Sequence, residues 1–288
     1  MIIYPLSKIY SENLKHPYPV SGAGGSKPID PTELEKLLHF TAIDSDSTMT
    51  FNLPNNVYIT NNQIKYSFNG TNWSNLTLNT NSSASITIPQ GQTVYLKAAG
   101  ITGNMNFGSL HIDHDSNATC GGDITSLLNE KGGDVSIPSY TFYQTFKDNT
   151  HLKTIPNLPS SDVNDFAFCE TFSGCSGLEE NLELSLPMTN SNGYRFYSAF
   201  YGCSTLKTVR IIFSQGIQAG ISDFEDMFRN CSLLTDVSVN ITGSWNQQAF
   251  KNWLNNVYSS GILHNLGGAT NIPNGVSGYP SGWTLSAS

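Results

Sequence analysis

The sequence predicts an α+β repeat protein, in which an extended N-terminal arm and an antiparallel β-sandwich precede a short solenoid with a C-terminal helical cap. Three observations predict this class. A Phe-x-x-Cys-x-x-Leu unit recurs about every 28 residues, the region before it alternates between apolar and polar types, and an amphipathic stretch with helical spacing follows the last unit. The predicted boundaries are 1–35 for the arm, 36–116 for the sandwich, 117–245 for the solenoid, and 246–288 for the cap and tail.

The predicted arm contains prolines, glycines and serines, including the run SGAGGSKP, and shows no apolar periodicity. Such a segment cannot form a core, so we expect it to be disordered or to dock on another protein. Pro31 follows Asp30 in a pattern typical of a capped helix start. No basic region followed by an apolar run is visible at the start of the sequence, and we therefore expect a primary product made in a cytoplasm.

The predicted sandwich consists of short strands with a period of two. Met49, Phe51 and Leu53 alternate with polar residues, and the same alternation returns several times before residue 116. Turn signals such as Asn69-Gly70 separate these runs at intervals of about ten residues. Short strands at this spacing are typical of an antiparallel β-sandwich.

The repeat units follow the sandwich. Each contains two phenylalanines four positions apart, then Cys or Asn three positions later and Leu three positions after that. This spacing predicts one apolar stripe on a short helix, and β-type segments such as VRIIF at 209–213 and VSVNI at 237–241 follow it. Units of this kind bury their apolar faces by stacking on their neighbours. The predicted repeat core is Phe142, Phe146, Leu152, Phe168, Phe172, Cys175, Leu178, Phe196, Phe200, Cys203, Leu206, Phe224, Phe228, Cys231 and Leu234.

The cysteines number five, and three of them occupy the same repeat position. An odd total without a Cys-x-x-Cys pair argues against a disulfide framework and a zinc knuckle. We therefore interpret the repeat cysteines as buried packing residues, with a disulfide between stacked units as the alternative. After the last unit, the stretch NQQAFKNWLNNVYSSG predicts an amphipathic capping helix that stops at Gly261.

Composition excludes several functions. The net charge of −8 and the absence of a basic run disfavour nucleic acid and anionic membranes as partners, and no stretch is apolar enough to insert into a bilayer. Phosphate-binding loops and nucleophile elbows are absent from the sequence. We accordingly predict no enzyme activity and no cofactor.

Two groups of residues could nevertheless support site chemistry. The segment HIDHD at 111–115 contains metal-ligand types, but on a strand His114 would face away from the other three, so we predict no metal site. Carboxylates such as Glu179, Glu180 and the group Asp223, Glu225 and Asp226 could in principle serve a glycosidase. We interpret them as surface or helix-start acids.

Aromatic residues that break the repeat pattern are better candidates for ligand recognition. Tyr194, Tyr201 and Trp245 occupy variable positions of the units. Exposed aromatic side chains are typical of sites that contact proteins or glycans. These three are the predicted ligand contacts.

The repeated FxxCxxL units, the aromatic four residues before each, and the ending WLNNVYSSG…IPNGVSGYPSGWTL resemble the BspA-type leucine-rich repeat proteins of gut Bacteroidales and their phages. The resemblance extends from about Phe40 to the C-terminus. It implies a leucine-rich-repeat-like solenoid and adhesion at a surface, and it supplies no catalytic residues. The segments between units depart from the family pattern, most of all VRIIFSQGIQAGI.

Two functions follow as hypotheses. The first is a structural component of a bacteriophage virion, a fibre, spike or decoration protein. It would bind other virion proteins through residues 1–35, act as a homo-oligomer by analogy, and present its repeats to a host glycan or protein. The alternative is a BspA-like adhesin on a bacterial cell surface, which should carry a signal peptide or a lipoprotein cysteine near its start. A glycan-cleaving tail protein is a more distant third.

Overall fold

A computed structural model describes residues 30–103, 108–133, 135–158, 163–186, 193–213 and 220–287. The predicted arm, residues 1–35, therefore lies outside the described residues except for its last six. These six include α1, whose N-cap Asp30 accepts a hydrogen bond from the Thr32 amide at 3.0 Å, as the sequence predicts.

Strands dominate the described residues, and the two helices have four residues each. The α-helices are α1 (Pro31–Leu34) and α2 (Ser126–Asn129), and a 3₁₀ turn lies at Thr60–Asn62. The strands before the repeats are β1 (Leu38–Ala42), β2 (Ser47–Leu53), β3 (Gln63–Ser67), β4 (Ser74–Thr77), β5 (Ser82–Ile88), β6 (Thr93–Lys97), β7 (His111–His114) and β8 (Ala118–Gly121). The strands of the repeats and tail are β9 (Asn181–Leu186), β10 (Thr208–Phe213), β11 (Asp236–Val239), β12 (Gly261–Asn265) and β13 (Trp283–Ala287).

The first eight strands form two antiparallel sheets. One has the order β4-β3-β6-β1-β8, and the other has the order β5-β2-β7. Alternate residues of β1, β2 and β6 are buried, because a period of two places every second side chain on the face that packs against the core. Antiparallel pairing in this region agrees with the alternation in the sequence.

The last five strands form a parallel sheet with the order β13-β12-β11-β10-β9. From the second coil onwards each coil contributes one strand, and Val209 of β10 lies beside Leu182 of β9 and Val237 of β11. The strand predictions at 209–213 and 237–241 fall on β10 and β11. The coils are thus stacked in register along the direction of the backbone hydrogen bonds.

The phenylalanine pairs lie in consecutive β-turns, and the predicted helices are wrong. In the first coil the Thr145 and Asn149 amides donate to the carbonyls of Phe142 and Phe146 at 3.2 and 3.1 Å, three residues back. The third residues of these turns, Gln144 and Asp148, have φ angles of 62° and 61°, as type II turns require. We call residues 138–149, 164–175, 194–203, 222–231 and 248–256 the turn segments.

A four-residue turn period places both phenylalanines of each segment on the inner side, as a helix would. The remaining amides bond to the next coil: the Phe142 amide donates to Ala167 O at 2.9 Å, and the Gln144 amide donates to Cys169 O at 3.1 Å. These bonds give the turn segments the coil-to-coil ladder that a helix, which uses its amides internally, would lack. The α+β class is therefore wrong for this chain.

The C-terminal helical cap is also wrong. Residues 248–256 form another turn segment, with positive φ at Asn252 and Asn256. Its apolar residues lie on the inner side, as in the other turn segments. Phe250 stacks on Phe224 with 4.8 Å between ring centroids, so this segment continues the stack. Beyond it, β12 and β13 add two more strands to the parallel sheet.

The antiparallel sheets and the coil stack share one core. The Ile112 amide of β7 donates to Thr145 O at 2.7 Å, and Phe40 of β1 lies 6.1 Å from Phe146 between ring centroids. Asn149, which replaces the repeat cysteine in the first coil, donates from Nδ2 to Ile112 O and to His114 Nδ1. The antiparallel sheets therefore cover the first coil, which would otherwise expose the inside of the stack.

Candidate functional site

Each coil has two outer faces, because its turn segment and its strand pack against each other through their inner side chains. The structure buries every residue of the predicted repeat core in this interior. The phenylalanines form two ladders of rings, in which neighbours such as Phe168 and Phe196 lie 5.4 Å apart and nearly parallel. We call the outer surface of the turn segments the turn face, and the outer surface of the parallel strands the strand face.

Partly buried aromatic residues form a third ladder on the turn face. Tyr140, Phe166 and Tyr194 occupy the same position in consecutive coils, with centroid distances of 4.9 and 4.8 Å and interplanar angles of 9° and 6°. All three have positive φ angles, which cost roughly 1–2 kcal/mol for residues other than glycine. Ring stacking and the coil-to-coil hydrogen bonds hold these residues in that conformation.

A groove of about 380 Å³ lies beside this ladder. Tyr143 and Tyr197 form its two walls, and Cys169, which occupies the equivalent position in the coil between them, forms its floor. Tyr143 and Tyr197 are tilted by 56° and 49° from their ladder neighbours Tyr140 and Tyr194, so neither ring continues the stacking of the ladder. We call this the Tyr143–Tyr197 groove.

The rim of the groove contains paired charges. Glu170 accepts from Lys147 Nζ at 2.6 Å and from Gln144 Nε2 at 3.1 Å. Glu225 accepts from Lys251 Nζ at 2.6 Å and from the Ser222 hydroxyl. The rim consequently offers hydrogen-bond donors and acceptors, while its formal charges are balanced.

Burial and the neighbouring Glu170 raise the pKa of Tyr143 to about 12. Burial also raises the pKa of Tyr197, with the carboxylates of Asp226 and Glu225 adding to the effect. Both phenols thus stay protonated at physiological pH, and each can donate and accept a hydrogen bond. Burial raises the pKa of the Cys169 thiol, so the floor of the groove is a neutral, weakly polar surface without thiolate reactivity.

A second groove of about 400 Å³ adjoins the first and shares Glu170 and Tyr197 with it. Its lining includes Ser173, Ser198 and Tyr201. The Tyr201 hydroxyl accepts a hydrogen bond from Asn230 Nδ2 at 2.6 Å, which fixes the ring against the next coil. The two grooves form one surface that crosses several coils.

The structure places the three predicted ligand contacts differently. Tyr194 belongs to the aromatic ladder, and Tyr201 lines the second groove, so both lie half-buried on the turn face. Trp245 is only 5% exposed; its ring lies 4.2 Å from that of Phe250, and its Nε1 donates to Ser277 O. This burial removes the reason for which Trp245 was a candidate.

Sequence reasoning missed four aromatic residues of the turn face, namely Tyr140, Tyr143, Phe166 and Tyr197. The signal for them was present. When the units are aligned by their first phenylalanine, aromatic residues recur two positions before it and one position after it. In a run of type II turns that repeats every four residues, side chains at these two positions lie on the outer side of the turn segment.

Residues 111–114 of the segment HIDHD form strand β7, which places its metal-ligand types on opposite faces. His114 is buried and points inward, whereas His111 and Asp113 lie outward, as the alternation predicts. Within the described ranges, no group of three or more His, Cys, Asp or Glu residues is placed to hold a metal ion. Neither helix in the described part of the chain is long enough to cross a bilayer.

The acidic group at 223–226 serves the stack. Asp223 is fully buried and accepts from Arg195 Nε at 3.1 Å and Nη2 at 2.5 Å, across two coils. Asp226 lies 3.5 Å from Arg229. None of these acids starts a helix.

The buried cysteines Cys175, Cys203 and Cys231 are free thiols, and each donates from Sγ to a phenylalanine carbonyl of the preceding coil.

The turn face thus combines aromatic walls and hydroxyl-bearing residues with balanced charges at the rim of the Tyr143–Tyr197 groove, a combination suited to binding a ligand through many weak contacts. No protein-family model, curated protein or solved structure matches this chain.

Proposed function

We propose that this chain is a structural component of a bacteriophage virion, a fibre, spike or decoration protein, which uses its turn face for adhesion to the host surface. The observation that supports adhesion is the Tyr143–Tyr197 groove, with its aromatic walls and polar rim. The resemblance of the repeats to BspA-type proteins of gut Bacteroidales and their phages supports the virion setting. In this proposal, residues 1–35 dock on other virion proteins, and the chain acts as a homo-oligomer.

Stacked coils suit recognition because their binding surface is ordered before the ligand arrives. The Glu170 amide donates to Tyr197 O at 2.9 Å, and the Gln144 amide donates to Cys169 O, so adjacent coils fix the walls and the floor together. A preorganised surface loses little conformational entropy on binding, which leaves more of the contact energy for affinity. Aromatic residues in such a surface contribute a large share of that energy.

Binding of the labelled full-length protein to intact host cells tests the adhesion proposal. Tyr197→Ala removes the wall that both grooves share, and we expect cell binding to fall at least tenfold. Tyr258→Ala is the matched control, because Tyr258 is 48% exposed and lies outside both grooves. Equal binding by wild type and Tyr197→Ala would place recognition elsewhere on the chain.

The virion setting needs a separate measurement. We expect mass spectrometry of purified phage particles to detect this chain in a fixed ratio to the capsid protein. Detection on bacterial cells that release no particles would favour the alternative, a BspA-like surface adhesin.

Since we propose binding without catalysis, incubation with host capsular polysaccharide should release no new reducing ends.

A further inference from the structure

The spacing of the two groove walls narrows the class of ligand. Tyr143 and Tyr197 stand two coils apart, and the coils are joined by β-type hydrogen bonds, which set neighbouring chains about 4.8 Å apart. The backbones of Tyr143 and Tyr197 therefore stand about 9.6 Å apart. The small Cys169 side chain between them leaves room for one ring-sized group of a ligand. The aromatic rings on both sides favour a group that presents C–H bonds to them.

The rim favours a neutral ligand that forms hydrogen bonds. Glu170 and Glu225 are each already paired with a lysine, so neither carboxylate is left as a counter-charge for a cationic ligand. The phenol groups of Tyr143 and Tyr197, together with Gln144, can donate and accept hydrogen bonds. A sugar ring combines the two requirements, since it presents C–H groups from its faces and hydroxyl groups from its edge.

The adjoining groove indicates a ligand with more than one ring. Tyr197 and Glu170 line both grooves, and the second groove adds the hydroxyl-bearing residues Ser173, Ser198 and Tyr201. A chain of linked sugar rings could continue from the first groove into the second without leaving the turn face. We propose that the turn face binds a neutral oligosaccharide, with one sugar ring held between Tyr143 and Tyr197 above Cys169. This inference rests on the proposed adhesion function and names its ligand.

Cys169 provides a direct way to close the site. Cys169→Tyr places a third ring between the walls and continues the existing column of tyrosines, so it fills the space meant for the sugar. An array of neutral oligosaccharides, with binders confirmed by titration calorimetry, is the probe. We expect wild type to bind, Cys169→Tyr and Tyr197→Ala to lose at least tenfold in affinity, and Tyr258→Ala to match wild type. Thermal melts establish that each variant is folded.

A second experiment, on host cells, separates this inference from the proposed function. Host cells are treated with periodate, which cleaves the vicinal diols of sugars, before the wild-type protein is added. Loss of cell binding supports an oligosaccharide ligand. Undiminished cell binding, together with a silent array, would overturn the oligosaccharide while leaving adhesion intact; displacement from cells by choline in that case would identify a cationic ligand. Absence of binding to untreated cells would overturn the proposed adhesion itself.

Discussion

The two sides of each coil are built on the same principle but expose different chemistry. Both sides stack in register through backbone hydrogen bonds, but the strands bury alternate side chains, whereas the turn segments bury phenylalanines four positions apart. The strand face displays polar and charged residues such as Glu183 and Arg210, whereas the turn face displays a ladder of aromatic rings. In-register stacking places equivalent residues about 4.8 Å apart, which suits parallel rings. On this common scaffold, the choice of residues at a few outer columns therefore makes one face suited to recognition.

The largest predicted effect is on the free energy of unfolding, and it comes from comparing two arginine–carboxylate pairs that join adjacent coils. Arg195 and Asp223 are fully buried behind the turn face, whereas Arg210 and Glu183 are 55% and 70% exposed on the strand face, with 3.9 Å between them. Arg195→Met leaves Asp223 as an uncompensated buried charge and should lower the free energy of unfolding by about 3–5 kcal/mol. Arg210→Met should cost less than about 1 kcal/mol. Urea denaturation measures both.

A double variant tests the cause of that loss. The equivalent positions in neighbouring coils are Ala167 and Ala249, so this column of the stack accommodates apolar residues. Combining Arg195→Met with Asp223→Leu removes both charges, and we expect it to recover most of the stability lost in the single variant. A double variant as unstable as Arg195→Met alone would mean that packing, and not the unpaired charge, causes the loss.

The strands could be predicted from the sequence because alternation has one structural meaning. VRIIF indicated β10, and the alternation in β2 indicated a half-buried strand. The spacing of Phe168 and Phe172 has two meanings, since residues four apart share a face in a helix and in a run of four-residue turns. The structure distinguishes the turns from a helix at Gly174, in Phe172-Ser-Gly-Cys175. Its φ angle is 77°, a conformation that a helix interior does not use.

The candidate site was only partly predictable for the same reason. Assigning helices to the turn segments hid the regular outward columns, so Tyr194 and Tyr201 stood out as irregular residues, while Tyr143 and Tyr197 were overlooked. Trp245 was misjudged because its contact with Ser277 comes from the tail, which no local pattern reveals. The groove itself depends on a small residue, Cys169, standing between two large ones in adjacent coils. Only the stacking register brings these three together.

The second prediction concerns the contact between the first turn segment and the antiparallel sheets. His114 Nδ1 accepts from Asn149 Nδ2 at 2.9 Å, and burial lowers the pKa of His114 to about 4 from its ordinary value of 6.5, with His151 adding to the effect. Between these two values the unfolded chain binds more protons than the folded chain, so stability rises with pH. The full contribution is present above pH 6.5, and it is lost as the pH falls towards 4. At pH 5 the loss should be about 2 kcal/mol.

The measurement is the urea midpoint between pH 7 and pH 4.5 for wild type and His114→Gln. Other carboxylates and histidines titrate in both proteins, so the difference between the two curves isolates His114. We expect the variant to be less stable at pH 7 and to show a shallower decline below pH 6.5. Parallel curves would show that His114 does not carry this pH dependence.

The smallest predicted effect concerns the cysteine column of the turn segments. Cys203 Sγ donates to Phe172 O at 3.2 Å, but that carbonyl also accepts the Cys175 amide at 3.2 Å, so losing the thiol leaves no unpaired carbonyl. Cys203→Ala should therefore cost on the order of 1–2 kcal/mol, the effect of a small buried cavity, and should leave ligand binding unchanged. Because Cys203 faces the interior and Cys169 the groove, replacing these two cysteines should separate stability from recognition. Loss of cell binding by a folded Cys203→Ala variant would show that the interior of the stack, and not only its outer columns, determines what the turn face recognises.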